Sequence, residues 1–256
     1  MHSPSELRSL VDAYLEDLAL TPELFGLADA VRYALEGGGK RIRPVLCLAT
    51  GESVGAAPDA LLPAAAAVEL VHTFSLVHDD LPALDDDEVR RGRPSTWAAH
   101  GEATAVLAGD ALLGEAFRLA LAYETPAVAR ELTAATLGMI GGQFLDVEGS
   151  RDDEARLNRL KTGRLFEAAV AAALCVAGVP EREHGPWRAF ADEVGPLFQL
   201  VDDLLDGDGA VLVHGEGRAR QLADEAAARA RDRLAAVPAD TSVLAEIVDG
   251  LAARTS

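Results

Sequence analysis

Apolar side chains recur every three or four positions along nearly the whole chain, the spacing of a helix with one buried face. The pattern predicts helices over Leu7 to Leu20, Leu27 to Leu35, Arg43 to Thr50, Leu61 to Val77 and Ala103 to Ala122. It continues over Pro126 to Leu145, Asp153 to Ala177, Pro186 to Leu205, Arg218 to Leu234 and Thr241 to Ala252. Gly37-Gly38-Gly39 and the stretch Gly51 to Pro58 interrupt it. Strand-type alternation never rises above this background. No unit repeats at the period of a solenoid, and no Pro/Gly/Ser-rich linker divides the chain. The expectation is an all-α helical bundle forming a single domain over residues 1–256.

Composition strengthens the helical reading and narrows the function. Hydrophobic residues make up 49% of the chain but aromatic ones only 5%, and the alanine-rich runs Ala64 to Ala67 and Ala168 to Ala173 favour helix over strand. A formal charge of −19 excludes nucleic acid as the expected partner, because neutralising phosphate backbones needs a basic surface. The start, MHSPSELRSL, lacks a basic stretch followed by an apolar run, so no secretory signal is expected. The apolar run Ala168 to Val179 is too short to span a bilayer, and no membrane span is expected. Cys47 and Cys175, isolated in apolar company, suit free thiols of a reducing compartment, and a cytoplasmic location follows as an expectation.

Two aspartate clusters carry the candidate chemistry. Asp79-Asp80 closes one helix, followed after Pro82 by Asp85; Asp202, Asp203 and Asp206 close another. Helical counting from Glu69 places His72, Leu76 and Asp79/Asp80 on one stripe, and groups Gln199 with Asp202 and Asp206. Carboxylates at a helix C-terminus are opposed by the helix dipole and repel each other, so such groups call for a cation. Magnesium fits, since it takes oxygen ligands and is held by one or two carboxylates plus substrate phosphates. His/Cys spacing of the zinc type is absent. Either cluster alone also reads as a solvated acidic face. The regular apolar stretches VELVHTFSLV and GPLFQLV before them argue for a shared buried setting.

The cations are placed to match. Gly37-Gly38-Gly39-Lys40-Arg41-Ile42-Arg43-Pro44 sets three cations after a flexible turn that opens a helix, where backbone donors and side chains converge on phosphate. The turn lacks the spacing and Ser/Thr of a nucleotide P-loop, which excludes an NTPase. Of 23 basic residues only Lys40 and Lys161 are lysines. A compact ammonium suits a crowded metal-diphosphate site better than a wide guanidinium fork. Lys161-Thr162 follows the acidic stretch Asp152 to Glu154, where Lys161 also reads as an ordinary surface lysine on a helix, and Arg90-Arg91 follow the first aspartate cluster either as substrate cations or as a helix-capping pair.

The ordered motifs GGGKRIRP, ELVHTFSLVHDDLPALDDDEVRRGRPS, GGQFLDVEG, LKTGRLFEAA and FQLVDDLLD resemble those of the trans-isoprenyl diphosphate synthases, from about Ala30 to Asp206. The four residues between Asp80 and Asp85 are similar to the short-chain bacterial branch. The resemblance implies an isoprenoid-synthase bundle around a central cavity and magnesium, three ions bound with substrate diphosphate. Metal ligands would be Asp79, Asp80 and Asp85 on one side and Asp202, Asp203 and Asp206 on the other. Lys40, Arg43, His72 and Arg91 would hold isopentenyl diphosphate; Arg90, Lys161, Thr162 and Gln199 would hold the allylic partner, dimethylallyl or geranyl diphosphate. Lys161, Thr162, Gln199, Arg90 and Arg91 are the implied catalytic residues. The implied reaction ionises the allylic diphosphate, lets the isopentenyl double bond attack the cation, and ends with proton loss to the released diphosphate. Phe74, five residues before Asp79, would underlie the growing tail and favour a C15 product, farnesyl diphosphate, over geranylgeranyl diphosphate. The family's homodimer would use the helix Ala103 to Ala122.

One segment departs from the pattern. After Asp206 the family continues through a lysine-bearing loop that closes over the allylic diphosphate, whereas here Gly207 to Gly217 is short and no lysine follows Lys161. Arg218 or Arg220, or a partner chain, stands as a substitute. This keeps open a catalytically impaired subunit of a heteromeric synthase, and, further off, terpene cyclisation on the same scaffold.

Overall fold

The computed structural model describes residues 1–149 and 154–255. The helices are α1 (Pro4–Glu16), α2 (Leu27–Glu36), α3 (Ile42–Ser53), α4 (Pro58–Asp79), α5 (Thr96–His100), α6 (Glu102–Ala120) and α7 (Ala127–Val147). They continue as α8 (Glu154–Asn158), a π-turn (Arg159–Gly163), α9 (Arg164–Val176), α10 (Gly185–Asp206), α11 (Gly209–His214), α12 (Glu216–Ala235) and α13 (Ser242–Ala252). Asp152 and Asp153 of the acidic stretch before Lys161 lie outside the described residues.

Local chemistry sets several of these limits. Ser3 and Glu6 form a capping box at α1, and Pro58 stands in the first turn of α4, where a missing N–H costs nothing. Gly207, at φ 73°, ends α10 in the left-handed conformation that glycine adopts most easily. The all-α expectation holds with one small exception, a two-residue ladder of β1 (Val89–Arg90) and β2 (Arg93–Pro94). Its loop, Arg91-Gly92, has φ of 54° and 76°, the positive pair that a tight hairpin requires. Two residues per strand are too few to show as alternation in the sequence.

α4 is the axis of the bundle, with thirteen of its 22 residues buried. It packs against α3, α6 and α9, while α10 joins α9 to α12. Fully buried Ala64, Ala65 and Ala67 of α4, and Ala105, Ala108 and Ala116 of α6, have no side chain beyond Cβ, which lets the two helices approach closely. By length and composition α4 is apolar enough to cross a membrane, a property the sequence reading missed by considering only uninterrupted apolar runs. Its most apolar stretch is 72% buried inside the protein and contains Glu69 and His72, the setting of a core helix.

The expected Asp153 to Ala177 helix is interrupted by the π-turn carrying Lys161 and Thr162. Two glycines accommodate it. A Cβ on Gly142 of α7 would stand 2.8 Å from the Lys161 backbone nitrogen, and one on Gly195 of α10 would stand 2.9 Å from Gly163 Cα. The π-turn is therefore clamped between backbones, an arrangement often found at functional sites.

Candidate active site

Two cavities flank the C-terminal half of α4. The first, of about 560 Å³, is lined by Lys40, Arg43, His72, Arg90, Arg91, Asp202 and Asp206 among others. It thus brings together every residue expected to hold isopentenyl diphosphate. The turn before α3 delivers the first cations: Gly38 and Gly39 have φ of 69° and 143°, and Arg41, at 49°, starts the helix from a left-handed conformation. A Cβ on Gly39 would lie 2.7 Å from the Arg91 guanidinium, and φ of 143° favours glycine there, which leaves room for Arg91 to dock and donate to the Gly38 carbonyl.

The three cations of that turn divide by role. Lys40 pairs with Asp202. Arg41 turns inward to Glu69 at 2.5 Å, Asp12 at 3.0 Å and the Leu35 carbonyl, which explains Glu69 on the polar stripe of α4: it neutralises a buried structural arginine. Arg43 is buried, with its guanidinium carbon 4.5 Å from the Phe166 ring centroid, and its Nε has no hydrogen-bond partner among the described residues. Burial pushes its pKa down to about 10, leaving a charged guanidinium at neutral pH. Burial, then Arg43, Arg91, Arg41 and Arg90, hold the His72 pKa well below its ordinary value, so His72 is a neutral ring in a cationic chamber.

The second cavity, of about 320 Å³, is mostly apolar. Phe74, Leu84, Met139, Ile140, Phe144 and Val147 line it, with Asp79 and Lys161 as its charged members. Burial raises the Asp79 pKa to about 6 against the lowering effect of Lys161. Lys161 Nζ donates to Asp146 at 2.7 Å, and the buried Gln143 Oε1 in the same cavity has no partner among the described residues. Sequence reasoning assigned no role to Gln143 or Asp146, although both stand in GGQFLDVEG; their i, i+3 spacing on one helical face was the available signal.

The remaining expected residues are distributed differently from the expectation. Asp80 is buried against Arg90, whose Nε donates to it at 2.9 Å and which also reaches Asp87 at 3.1 Å. Arg90 lines the first cavity, not the one with Lys161. Asp85 is exposed, and its backbone N–H closes the loop onto the Asp79 carbonyl at 2.9 Å. Gln199 groups with Asp203 rather than with Asp202 and Asp206. Its amide donates to Asp203 at 2.8 Å, because Asp203 is drawn inward to accept the Ala210 N–H at 2.9 Å and cap α11. Thr162 donates to Gln199 Oε1 at 3.3 Å, tying the π-turn into the same relay. Arg218 and Arg220 pair with Glu225 and Glu216 on α12, and neither lines the two cavities.

The donor set fits divalent cations that arrive with a diphosphate. Among the described residues no three carboxylate, His or Cys groups converge on one point, so a bare ion has no complete cage. Hard oxygens at Asp79, Asp202 and Asp206, with an Arg43 Nε that has no partner among the described residues, match magnesium completed by substrate oxygens.

A bundle with this topology is the isoprenoid synthase fold: an isoprenoid synthase family member from Thermotoga neapolitana superposes with a TM-score of 0.83 at 32% identity, covering 96% of this chain and 97% of that one. A family model of polyprenyl synthetases matches residues 26–225, and the chain belongs to that family. A geranylgeranyl diphosphate synthase of Cyanophora paradoxa is 42% identical over 194 residues, 70% of this chain and 64% of that relative. A farnesyl diphosphate synthase of Bacillus subtilis is 36% identical over 219 residues, 80% of this chain and 73% of the relative. The chain thus spans roughly two thirds to three quarters of these relatives' lengths.

Proposed function

We propose that the chain is one isoprenoid-synthase domain over residues 1–256 that condenses isopentenyl diphosphate with an allylic diphosphate, dimethylallyl or geranyl, and releases farnesyl diphosphate. The observation that carries this is Arg43: a buried, charged side chain whose Nε has no hydrogen-bond partner among the described residues, lining the same chamber as Lys40, His72 and Arg91. A polar group of this kind is costly unless an anion completes it.

In this reading the two cavities hold the two substrates. Lys40, Arg43 and Arg91 grip the isopentenyl diphosphate, and neutral His72 adds a hydrogen bond without a further charge. Lys161 and Asp79 stand at the head of the apolar cavity, which takes the allylic tail and keeps water from the cation. Gln199 and Thr162 hold the π-turn and so fix the Lys161 ammonium toward the departing diphosphate. Asp79, Asp202 and Asp206, with Asp80, Asp85 and Asp203 in support, would hold magnesium, which would supply neutralisation of the charge that develops on that diphosphate. Proton loss ends the cycle, with released diphosphate as the acceptor.

Phe74 at the apolar cavity supports a C15 product, while relatives of both farnesyl and geranylgeranyl type leave C20 as the competing length. Exposed apolar residues on α6 and α7, including Val106, Leu107 and Leu137, support a homodimer. The free thiols Cys47 and Cys175 support a cytoplasmic setting. A second reading, an impaired subunit, draws on one feature: six-residue α11 stands where the resembled family carries a lysine-bearing lid.

The two-cavity assignment is tested by kinetics on single variants. Arg43→Ala should raise KM for isopentenyl diphosphate by about 10- to 100-fold, the worth of a charged hydrogen bond, and leave the allylic KM within a few fold. Lys161→Ala should act mainly on the allylic substrate and on kcat. Equal effects on both substrates from both variants would overturn the assignment.

A further inference from the structure

His78 directly precedes the first metal aspartate, and the resemblance gives it no role, yet its position is unusually determined. Its Nε2 lies 3.0 Å from the Val106 carbonyl oxygen of α6, so that nitrogen must carry the proton and donate. Asp110 is 4.0 Å from the same nitrogen, beyond hydrogen-bond reach, which leaves the carbonyl as the anchor. The ring is seated against Gly109, buried in α6, where any Cβ would overlap the imidazole. The absence of a side chain at Gly109 thus has a specific use at this level: it admits one ring between α4 and α6.

That ring then meets another. His78 and Phe74 are one helical turn apart on α4, and their rings contact edge to face, with centroids 4.9 Å apart and planes at 71°. Both line the apolar cavity. The χ2 torsion of a phenylalanine is broad, and a neighbouring ring fixed at both its hydrogen-bonded and its packed edge restricts it.

We infer that His78, held by the Val106 carbonyl and the Gly109 seat, is a positioning residue that holds the Phe74 ring across the tail cavity and thereby limits product length. The inference rests on the prenyl-transfer reading of the cavity and deepens it. Phe74 supplies the stop; His78 makes it rigid.

The test measures product distributions from geranyl diphosphate and isopentenyl diphosphate with magnesium, for wild type, His78→Ala, Phe74→Ala and the double variant. His78→Ala should raise the C20-to-C15 product ratio by about tenfold or more, the discrimination expected when a tail gains or loses a well-packed contact, with the first condensation retained. In the Phe74→Ala background the same change should shift the ratio less than threefold, roughly, because the group it positions is gone. Should His78→Ala not fold, His78→Gln keeps an N–H for Val106 without a ring for Phe74 and carries the same expectation. An active variant with the wild-type ratio overturns the inference, as does an undiminished shift in the Phe74→Ala background. Failure of the wild type to extend any primer instead defeats the prenyl-transfer reading. The inference is then judged on binding of geranylgeranyl diphosphate, whose Kd should fall about tenfold in His78→Ala relative to that of farnesyl diphosphate.

Discussion

Asp79 shows what the proposed site would cost the fold. Burial raises its pKa to about 6, so the fold disfavours the carboxylate that the proposed magnesium site needs. The sign follows from linkage: the protonated form is favoured in the folded protein, so its contribution is fully present below about pH 4 and is lost as pH rises through about 6. Asp79→Asn should therefore stabilise the metal-free protein at pH 8 by about 1–2 kcal/mol after discounting for partial exposure, with the gain vanishing near pH 4. Urea titrations at the two pH values check this, and prenyl transfer should be lost. At the same scale Phe74→Ala should lengthen the product, read by chromatography of the dephosphorylated alcohols. The sequence made the charged chemistry of these positions legible, because acids and lysines are conspicuous. It did not reveal that Asp80 and Asp203 turn away, to Arg90 and to the α11 N-terminus, since neighbouring positions on a helix end look equivalent until their partners are known.

The π-turn is where an element, rather than a residue, makes the site. Lys161 and Thr162 stand on five residues whose backbone is wedged between Gly142 and Gly195. Gly142→Ala should overpack this contact, costing about 1–3 kcal/mol and lowering kcat by displacing Lys161. Gly141→Ala, whose Cβ would meet nothing within 4 Å, should instead be neutral or stabilise α7 by up to about 1 kcal/mol. Thermal melts and kcat on the pair separate a clamp from ordinary helix propensity. The long helices were readable from periodicity to within a few residues. The π-turn was not, because it preserves the apolar rhythm on both sides. α11 was missed too; it is a single short helix capped by an aspartate from the preceding one, a tertiary event without a local pattern.

Across the whole molecule, an acidic protein of formal charge −19 encloses a cationic chamber built by Lys40, Arg43, Arg90 and Arg91. Net charge of this size favours solubility, while in the proposed reading anion recognition is confined to this chamber, where low-dielectric walls focus the local field. In the proposed homodimer, Leu107→Glu with Leu137→Glu should convert dimer to monomer in sedimentation velocity, by placing charges among the exposed apolar side chains of α6 and α7. The all-α class was legible because helical periodicity and alanine content agree over the whole chain. The split into two cavities was not, since helical counting puts His72 and Asp79 on one stripe of α4, whereas they line different cavities. The central claim, magnesium-dependent joining of two diphosphates, is tested most directly by incubating the protein with magnesium, geranyl diphosphate and labelled isopentenyl diphosphate. The account predicts labelled farnesyl diphosphate, abolished by a chelator; binding without extension, or a hydrocarbon or alcohol formed from the allylic substrate alone, would contradict it.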